Sequence, residues 1–364
     1  MIVSNIASLK ALTCGGEVWL LGYSAPGDGG GGAFYYDVSS TTADDGGTVI
    51  APTSGVGRWE RIYSGAVHVD WFGANSSDAT AAFLAASNFQ QVEASPRNYL
   101  MNGAVTIKEG QQWDLKGALV YHTDNTKVMF SAAGINRATF QNCDLKGTLA
   151  SSGFTGEKGL YLEGCGDVKV SGVTARLFKG QGFHIAPGSR LGYKAERPIL
   201  SGCAAFENMV GFQIDNGSGS EYVTITGIRS AGNITGLSVG AGNVSICGGS
   251  ITNNSTGVIL TGGDNNGHGT ITGVNINHNG GVEGSNVVAD GVTKGFTFTG
   301  CHIYGDSASV GMIWHKNGST NITYTGGVID ADITNSSGSN RATGVRQGPL
   351  WAVAGSGFTA TDCF

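Results

Sequence analysis

The sequence predicts an all-β fold: a right-handed single-stranded parallel β-helix with an N-terminal capping helix, preceded by a small β-rich N-terminal domain. Two observations carry this prediction. Glycine accounts for 62 of the 364 residues and proline for only 6, a composition typical of many short strands joined by tight turns. A short motif, in which an apolar residue and a Ser or Thr precede a glycine, also recurs through the larger C-terminal part of the chain, as expected of a solenoid.

The repeat is anchored by the glycine that ends each copy. Copies end at Gly172, Gly202, Gly227, Gly248, Gly273, Gly300 and Gly326, and degenerate copies end at Asn142 and Asp362. The spacing between successive copies varies from 21 to 36 residues. Variable spacing between similar strands predicts stacked coils that carry loop insertions of different lengths.

The positions around each glycine indicate which way the side chains face. The residue two before the glycine is apolar in almost every copy, whereas the residue directly before it is usually Ser or Thr. This alternation predicts a strand with one face in the core and a ladder of hydroxyl groups on the other. Six residues after the glycine comes a corner column, because Asn and Asp suit sharp turns: Asn208, Asn233, Asn254, Asn279, Asp306 and Asp332.

The N-terminal part of the chain lacks the repeat. Residues 1–66 are Gly-rich with aromatic strands, and we expect them to form a separate β domain, with residues 67–364 forming the β-helix. Near residues 76–91 the pattern predicts an amphipathic helix with Ser or Asp at its N-cap. This helix would cover the first coil, whose unpaired strand edges would otherwise be exposed.

The same N-terminal region resembles a known family. The strings APGDGGGG (residues 25–32), DDGGTVIAPT (44–53), GRWER (57–61) and VDWFGA (69–74) are similar to the neck region of bacteriophage tailspike proteins, where it precedes a pectin-lyase-like parallel β-helix. The resemblance implies a homotrimer that is made in the host cytoplasm and attached to the phage tail or baseplate through its N-terminal region. At the host cell surface it would bind bacterial surface polysaccharide, capsule or O-antigen.

Composition argues against several other classes of function. The net charge is −6 without a basic run, so nucleic-acid binding is not expected. No apolar stretch is long enough for membrane insertion. Seven cysteines without a C-x-x-C pair favour buried free thiols over disulfides or zinc. We therefore expect no cofactor and no metal.

The last full coils carry the preferred acidic cluster. Counting from the glycines places Asp306 and Asp332 at neighbouring corners and Asp330 beside Tyr304 on the outward face. Like charges at that distance raise one pKa and divide acid and base roles. The predicted catalytic residues are Asp330, Asp332 and Asp306, and the predicted sugar-binding residues are Tyr304, His302, Trp314 and His315.

Alternatives stay open for these residues. Asp306 and Asp332 also fit a purely structural corner role, and Trp314 also fits a trimer interface. Cys301 takes an inward position, so it is expected in the core rather than in a metal site with His302. A second-choice catalytic pair is Glu207 and Asp215, which lies on earlier coils with Arg176 and His184.

Two main classes of function follow from the sequence. The first is an enzyme that depolymerises polysaccharide, with hydrolysis favoured over elimination. The second is a receptor-binding spike that holds the glycan without cleaving it, and a structural adaptor is a third possibility. The sugar cannot be named, since loops rather than a local motif determine it.

Overall fold

The fold is described by a computed structural model for residues 1–13, 15–74, 77–148, 153–188, 195–215, 220–262, 267–280, 284–307, 310–336 and 338–364. Two separate hydrophobic cores divide the chain. The first lies within residues 6–59 and the second begins at Val67. In this described part of the chain, no helix has the length and hydropathy needed to cross a bilayer.

The N-terminal domain is a small sheet with one helix packed on it. Its strands are β1 (Ile2–Val3), β2 (Glu17–Leu20), β3 (Gly32–Asp37), β4 (Val49–Ile50) and β5 (Arg58–Arg61), in the order β1-β2-β3-β5-β4. Helix α1 (Ile6–Lys10) begins after Asn5, whose side chain accepts a hydrogen bond from the Ser8 backbone N–H, as an N-cap residue does. Trp59 and Phe34 fill the core of this domain.

The rest of the chain is a parallel β-helix, which confirms the fold predicted from the sequence. Each regular coil contributes to two sheets, here named sheet 1 and sheet 2, and every pairing between successive coils is parallel, as in Phe140 opposite Val170. Sheet 1 contains β6 (Val67–His68), β7 (Gln91–Glu93), β8 (Asn98–Leu100), β10 (Gln112–Tyr121), β12 (Arg137–Lys146), β14 (Asp167–Arg176), β17 (Ile199–Ser201), β18 (Ala204–Phe206), β21 (Thr224–Ala231), β23 (Val244–Thr252), β25 (His268–Asn277), β27 (Gly295–Thr299), β28 (His302–Tyr304), β30 (Thr323–Thr325), β31 (Val328–Asp330), β33 (Asn340–Thr343), β34 (Arg346–Gln347) and β36 (Phe358–Thr361).

Sheet 2 forms the opposite side of the coils. It contains β9 (Val105–Thr106), β11 (Val128–Ala133), β13 (Lys158–Glu163), β15 (Gln181–Ala186), β19 (Val210–Ile214), β22 (Thr235–Val239), β24 (Thr256–Thr261), β26 (Ser285–Asp290), β29 (Met312–Lys316), β32 (Asp332–Asn335) and β35 (Ala352–Gly355). A separate two-stranded pair joins β16 (Ala195–Glu196) to β20 (Ser220–Glu221). The apolar side chains of both sheets fill a continuous core between them.

The repeat glycines bend sheet 1 through a left-handed backbone. Gly172 and Gly300 both have φ of 60°, and the degenerate copies Asn142 and Asp362 have φ of 60° and 51°, a region that glycine enters without strain. The structure also contains a coil that the repeat motif did not predict. Gly344, with φ of 60°, follows β33 and divides the longest spacing into two equal parts.

The corner column forms a buried amide ladder. Asn208 Nδ2 donates to Asn233 Oδ1 (3.0 Å), and the pattern continues through Asn254 to Asn279 at 2.9 Å for each step. The left-handed residue at these corners is the one before each Asn, such as Glu207 with φ of 55°. The ladder thus holds the corner through hydrogen bonds rather than through an unusual backbone at Asn itself.

The capping helix is shorter than predicted. Helix α2 spans Thr80–Ala86, and its N-cap residue Ala79 makes no capping bond through its side chain. Asp78 instead accepts from the backbone N–H of Thr80 (2.9 Å). The helix ends at Ala86, and a turn then leads the chain into β7 of sheet 1. Phe83 of α2 is buried against Trp113 of the second core, so this helix does pack on the first coils.

Candidate functional site

Asp306 does not occupy the corner predicted for it. Its side chain is exposed, and its Oδ1 lies 2.6 Å from His278 Nδ1. Asn286 takes the next place in the ladder, since Asn279 Nδ2 donates to Asn286 Oδ1 at 2.9 Å. The physical reason is that a ladder member must both accept and donate. An amide does so, whereas a carboxylate can only accept.

Asp330 lies beside Tyr304 as expected, but it is not open to a substrate. The two residues are register partners on β28 and β31. The side chain of Asp330 is only 6% exposed, and its Oδ1 accepts from the backbone N–H of Leu350 at 2.6 Å. Gly348 packs directly over the carboxylate. The segment after β34 therefore covers a face that the sequence predicted to be free.

Asp332 is separated from Asp306 by the fold. It is the first residue of β32 in sheet 2. Because Ile313 pairs with Ile333, the neighbour of Asp332 on the previous coil is Met312. The expected pair of adjacent corner carboxylates therefore does not form, since the preceding coil inserts extra residues between sheet 1 and sheet 2.

The four predicted sugar-binding residues are spread over three environments. His302 and Tyr304 pack edge to face on sheet 1 with ring centroids 4.6 Å apart. Trp314 is partly exposed on sheet 2 beneath the ammonium of Lys316. His315 is completely buried and bonds to Asn335 and Tyr324, so its prediction as a sugar contact is wrong. Side chains alternate between the two faces along β29, and His315 is on the buried face together with Ile313.

The second-choice cluster separates into two parts. Arg176, at the end of β14, pairs with Asp144 through its Nε at 2.9–3.0 Å. Glu207 is exposed at the following corner, where its charge acts on Arg176. His184 and Asp215 lie further along the coil on sheet 2. Glu207 and Asp215 therefore do not form a catalytic pair.

His184 and Asp215 form a partly buried titratable pair on the outward side of sheet 2. His184 Nε2 lies 2.7 Å from Asp215 Oδ2. Burial raises the pKa of Asp215, but hydrogen bonds from His184 and Gln213 and the charge of Lys158 outweigh it, so this pKa lies below its usual value. Asp215 is therefore an ionised carboxylate at neutral pH, which suits a base rather than an acid.

Neighbouring coils extend this pair into a polar network. Tyr161 is the register partner of His184, and their rings are 5.0 Å apart. Gln213, on the next coil, donates from Nε2 to Asp215 Oδ1 (2.5 Å). Gln181 in turn donates to Gln213 Oε1 (2.8 Å). The network spans β13, β15 and β19 and is named here the sheet-2 cluster: Lys158, Tyr161, Glu163, Gln181, His184, Gln213 and Asp215.

The aromatic hydroxyl of this cluster is held in its protonated form. Burial, followed by the charge of Glu163 and a hydrogen bond to it, raises the pKa of Tyr161 to about 12. Lys158 places its ammonium 5.2 Å from the centre of the Tyr161 ring. Burial lowers the pKa of Lys158, and Asp215 partly opposes that shift. The cluster thus combines a cation, a phenol and two carboxylates.

The two carboxylates occupy one column of sheet 2. Glu163 is the register partner of Ala186 on the next coil. Ile185 is the register partner of Ile214, so Ala186, which follows Ile185, lies beside Asp215, which follows Ile214. The small Ala186 side chain therefore lies between them. Two coil spacings separate their Cα atoms by roughly 9–10 Å. A sugar ring can lie across such a gap.

Most of the sheet-2 cluster was missed from the sequence. His184 and Asp215 were second-choice candidates, whereas Lys158, Tyr161, Glu163, Gln181 and Gln213 were not considered. The repeat motif aligns sheet 1 and gives no register for sheet 2. The usable signal was the apolar alternation in GLYLEG and GFHIA, which places Tyr161 and His184 on the outward side. Within the described residues, no group of three or more His, Cys, Asp and Glu could hold a metal ion.

Another cluster, at the junction of the two units, contains Ser95, His68 and Asp70. The backbone N–H of Asp70 donates to His68 Nδ1 (3.2 Å), so the ring proton lies on Nε2, which faces Ser95 Oγ (3.4 Å). A nitrogen that carries its proton cannot take one from the serine. Arg97 pairs with the buried Asp70 and donates to the Asp28 carbonyl (3.0 Å). The cluster therefore fastens the N-terminal domain to the β-helix.

Comparison with known proteins identifies the N-terminal domain. Residues 2–64 match the family model described as the phage tail protein small four-stranded β-sheet domain. A search of curated proteins finds no match to the chain.

Solved structures share the fold of the whole chain. The enzymatically active domain of bacteriophage CBA120 tailspike protein 2 is similar with a TM-score of 0.62 and 16% identity, over 100% of this chain and 56% of that one. The tailspike protein gp49 of the Acinetobacter baumannii bacteriophage Fri1, a capsular polysaccharide depolymerase, gives 0.70 and 11%, over 100% and 75%. The A-module of the Azotobacter vinelandii mannuronan C-5 epimerase AlgE4 gives 0.56 and 13%, over 81% and 94%.

These identities establish a common fold and not a common chemistry. The chain spans only 56% of the CBA120 structure to which it is similar. The confirmed resemblance concerns the order of parts, an N-terminal tail domain followed by a parallel β-helix. Residues 2–64 therefore match the model of the phage tail small four-stranded β-sheet domain, and the chain as a whole has the fold seen in solved bacteriophage tailspike proteins.

Proposed function

We propose that the chain is a phage tailspike that binds bacterial surface polysaccharide, capsule or O-antigen, and cleaves it on the outer face of sheet 2. The observation that carries this proposal is the His184–Asp215 pair at 2.7 Å, set in the sheet-2 cluster. Perturbed titratable groups that gather on one face are typical of active sites, and Lys158, Tyr161 and Asp215 are only partly buried there. The preferred sequence cluster has no comparable arrangement, because Asp330 is covered and Asp306 stands apart.

Hydrolysis assigns a role to each carboxylate. Asp215, ionised and oriented by His184 and Gln213, would act as the base that activates water. Glu163, two coils away and beside Tyr161, would take up a proton from solvent before each turnover and donate it to the leaving oxygen. Their Cα atoms lie two coil spacings apart, roughly 9–10 Å, which leaves room for the water molecule that an inverting glycosidase holds between its carboxyl groups. We therefore expect inversion of the anomeric centre.

The N-terminal domain supports attachment to the virion. Residues 2–64 match a phage tail domain, and Arg97 of the β-helix donates to the Asp28 carbonyl of that domain. We propose that this domain binds the phage tail or baseplate and that the β-helix projects toward the host surface. The protein would then act outside the host cell after its synthesis in the host cytoplasm.

A homotrimer is part of the same proposal, and the outer face of sheet 1 is the surface that we assign to it. This face carries two adjacent columns without charged residues over several coils: Thr224, Ser245, Thr270, Thr297 and Thr323, and Ser201, Thr226, Cys247, Thr272, Thr299 and Thr325. Hydroxyl groups both donate and accept, so the face is complementary to a second copy of itself. Cys247 is an exposed thiol within it.

The test of cleavage uses polysaccharides purified from a panel of encapsulated and O-antigen-bearing bacteria. Shortening of a polymer with new reducing ends supports hydrolysis, whereas ultraviolet absorbance from an unsaturated uronate indicates elimination. Asp215→Asn should remove cleavage, and the matched variant Asp306→Asn should keep it. Binding to a polymer without any shortening would instead support the non-catalytic receptor-binding spike.

A further inference from the structure

The sheet of the N-terminal domain is apolar on both of its faces. Leu20, Phe34 and Trp59 of its inner face share one core with helix α1. The side chains that alternate with them along the strands point to the opposite face. In a sheet with one covered face, the other face is normally polar because it meets water. Here it carries large apolar side chains instead, which is the composition of a face that another molecule covers.

The exposed apolar residues form one row across the strands. Trp19 of β2 is the register partner of Ile2 on β1 and of Ala33 on β3. Ile62, directly after β5, donates its backbone N–H to the Ala33 carbonyl (2.8 Å) and continues the row. With the β-helix in place, Ile2 is 68% exposed, Trp19 54% and Ile62 49%. A contiguous exposed apolar patch, unlike a single exposed apolar residue, marks an interaction site.

An acidic row runs beside the apolar row. Tyr35 is the register partner of Glu17 on β2 and of Glu60 on β5, and its hydroxyl donates to Glu60 Oε2 (2.7 Å). Within the described residues, neither glutamate belongs to an ion pair. A partner that covers the apolar row therefore meets two uncompensated negative charges. The two rows together are named here the open face: Ile2, Glu17, Trp19, Tyr35, Glu60 and Ile62.

The N-terminal domain of a second copy has no free basic side chain for the acidic row. The domain contains three basic side chains. Lys10 is paired with Asp44 at 2.9 Å, and the buried Arg61 donates to the carbonyls of three glycines. Arg58 donates from its Nε to the Thr42 carbonyl (2.5 Å). The complementary charges are therefore expected from a different protein.

We infer that the open face is the surface through which the N-terminal domain docks on a phage tail protein, and that this tail protein presents an apolar ridge beside Lys or Arg side chains. The inference rests on the proposed function, since it assigns one face of the domain to the attachment proposed for residues 2–64, which match the model of a phage tail domain. Trp19 is the central contact of the apolar row. Glu17 and Glu60 select a basic partner and speed its association.

The test uses the full chain and tail particles of the phage that encodes it, prepared from a phage in which the gene for this chain is interrupted. Binding is measured by co-sedimentation, and the rates are measured by interferometry on immobilised particles. Trp19→Ser should weaken binding about 30-fold, mainly through faster dissociation, as expected for an aromatic residue at the centre of an interface. Trp314→Ser, which removes a partly exposed tryptophan of the β-helix, should bind as the wild type does.

A second variant tests the acidic row independently of the apolar row. Glu17→Gln combined with Glu60→Gln should slow association about tenfold at low salt and remove most of its salt dependence, because rim charges act mainly on the association rate. Asp306→Asn, which removes an exposed carboxylate of the β-helix, should change neither quantity. Glu17 is exposed and Glu60 is half-buried, so the melting temperature of the double variant should stay close to that of the wild type.

The outcomes separate this inference from the proposed function. Full binding by Trp19→Ser, or an unchanged salt dependence in the double variant, would overturn the docking surface, while attachment of the wild-type chain to the particles would leave the proposed function standing. A change of oligomeric state in Trp19→Ser, measured by light scattering, would also overturn the inference, because a second copy would then cover the open face. A wild-type chain that does not bind the particles would contradict both the docking surface and the proposed attachment.

Discussion

His184 Nε2 and Asp215 Oδ2 lie 2.7 Å apart across neighbouring coils of sheet 2. The two residues are far apart in sequence, and the stacking of β15 on β19 brings them together. His184 is buried and Asp215 is half-buried, although both lie on the outward side of sheet 2. The pair fixes the orientation of the carboxylate that we propose as the base.

Asp215→Asn is expected to lower the rate of cleavage by about 10²-fold or more, the usual contribution of a general base. The amide keeps the size of the carboxylate, so the melting temperature should change little. Both quantities are measured on a polysaccharide that the wild-type protein cleaves. Asp306→Asn serves as the control, because Asp306 is exposed and distant from the sheet-2 cluster. Unchanged cleavage by Asp215→Asn would remove this residue from the mechanism.

Asn254→Asp is expected to destabilise the fold by about 2–3 kcal/mol. Asn254 Nδ2 donates to the carbonyl of Ser230 (3.1 Å) and to Asn279 Oδ1 (2.9 Å). A carboxylate would place an acceptor against these acceptors in a buried position, and unsatisfied buried groups cost this much. Urea unfolding measures the loss. Asn275→Asp, at an exposed position, should stay within about 0.5 kcal/mol of the wild type, and an equal loss in both variants would argue against the ladder.

Acid should destabilise the protein partly through His315. Burial lowers the pKa of His315 to about 4, from its usual 6.5. Below pH 6.5 the unfolded chain binds a proton that the folded chain does not, so this stabilisation is complete above pH 6.5 and is lost as the pH falls toward about 4. Between pH 6.5 and pH 5 the loss is about 2 kcal/mol. In His315→Gln the decrease in stability over this range should be smaller by that amount, and an identical pH dependence would contradict the assignment.

Arg97→Ala should loosen the N-terminal domain from the β-helix. Asp70 is 1% exposed, and the substitution removes its cationic partner together with the bond from Arg97 to the Asp28 carbonyl (3.0 Å). We expect faster hydrogen exchange around residues 28–30 and faster proteolysis near residues 62–66.

Ser95→Ala should leave polysaccharide cleavage unchanged, because the His68 ring cannot act as a base toward Ser95. A loss of cleavage in Ser95→Ala would contradict that tautomer argument.

Charge on the outer face of sheet 1 should prevent trimer formation. Thr226→Arg and Thr272→Arg would bring like charges together between copies, and light scattering should then report a monomer at micromolar concentration. Ser238→Arg, on the outer side of sheet 2, is the matched control and should stay trimeric. Maleimide should label Cys247 more slowly in the trimer than in Thr272→Arg. A trimer that survives both substitutions would place the interface elsewhere.

The strand register of sheet 1 could be read from the sequence because its signal is local. Each copy carries its own apolar residue, hydroxyl residue and glycine, so Phe298 and Gly300 report their positions without reference to other coils. The coil around Gly344 escaped detection because its motif, RATG, replaces the bulky apolar residue with Ala342. The column of Asn residues could also be read from the sequence. The exclusion of Asp306 from that column could not, because it depends on which hydrogen bonds the neighbouring side chains donate and accept.

The sequence by itself determined that this protein is a parallel β-helix with a separate N-terminal domain, because periodic burial and glycine turns are encoded within each coil. Tertiary structure alone decided which acids share a face. The segment after β34 covers Asp330, and loop insertions of different lengths between sheet 1 and sheet 2 separate Asp332 from its predicted partner. The same stacking placed Lys158, Tyr161, His184 and Asp215 together. The turns between the two sheets decide which residues of sheet 2 come into register, and the repeat in sheet 1 carries no information about those turns.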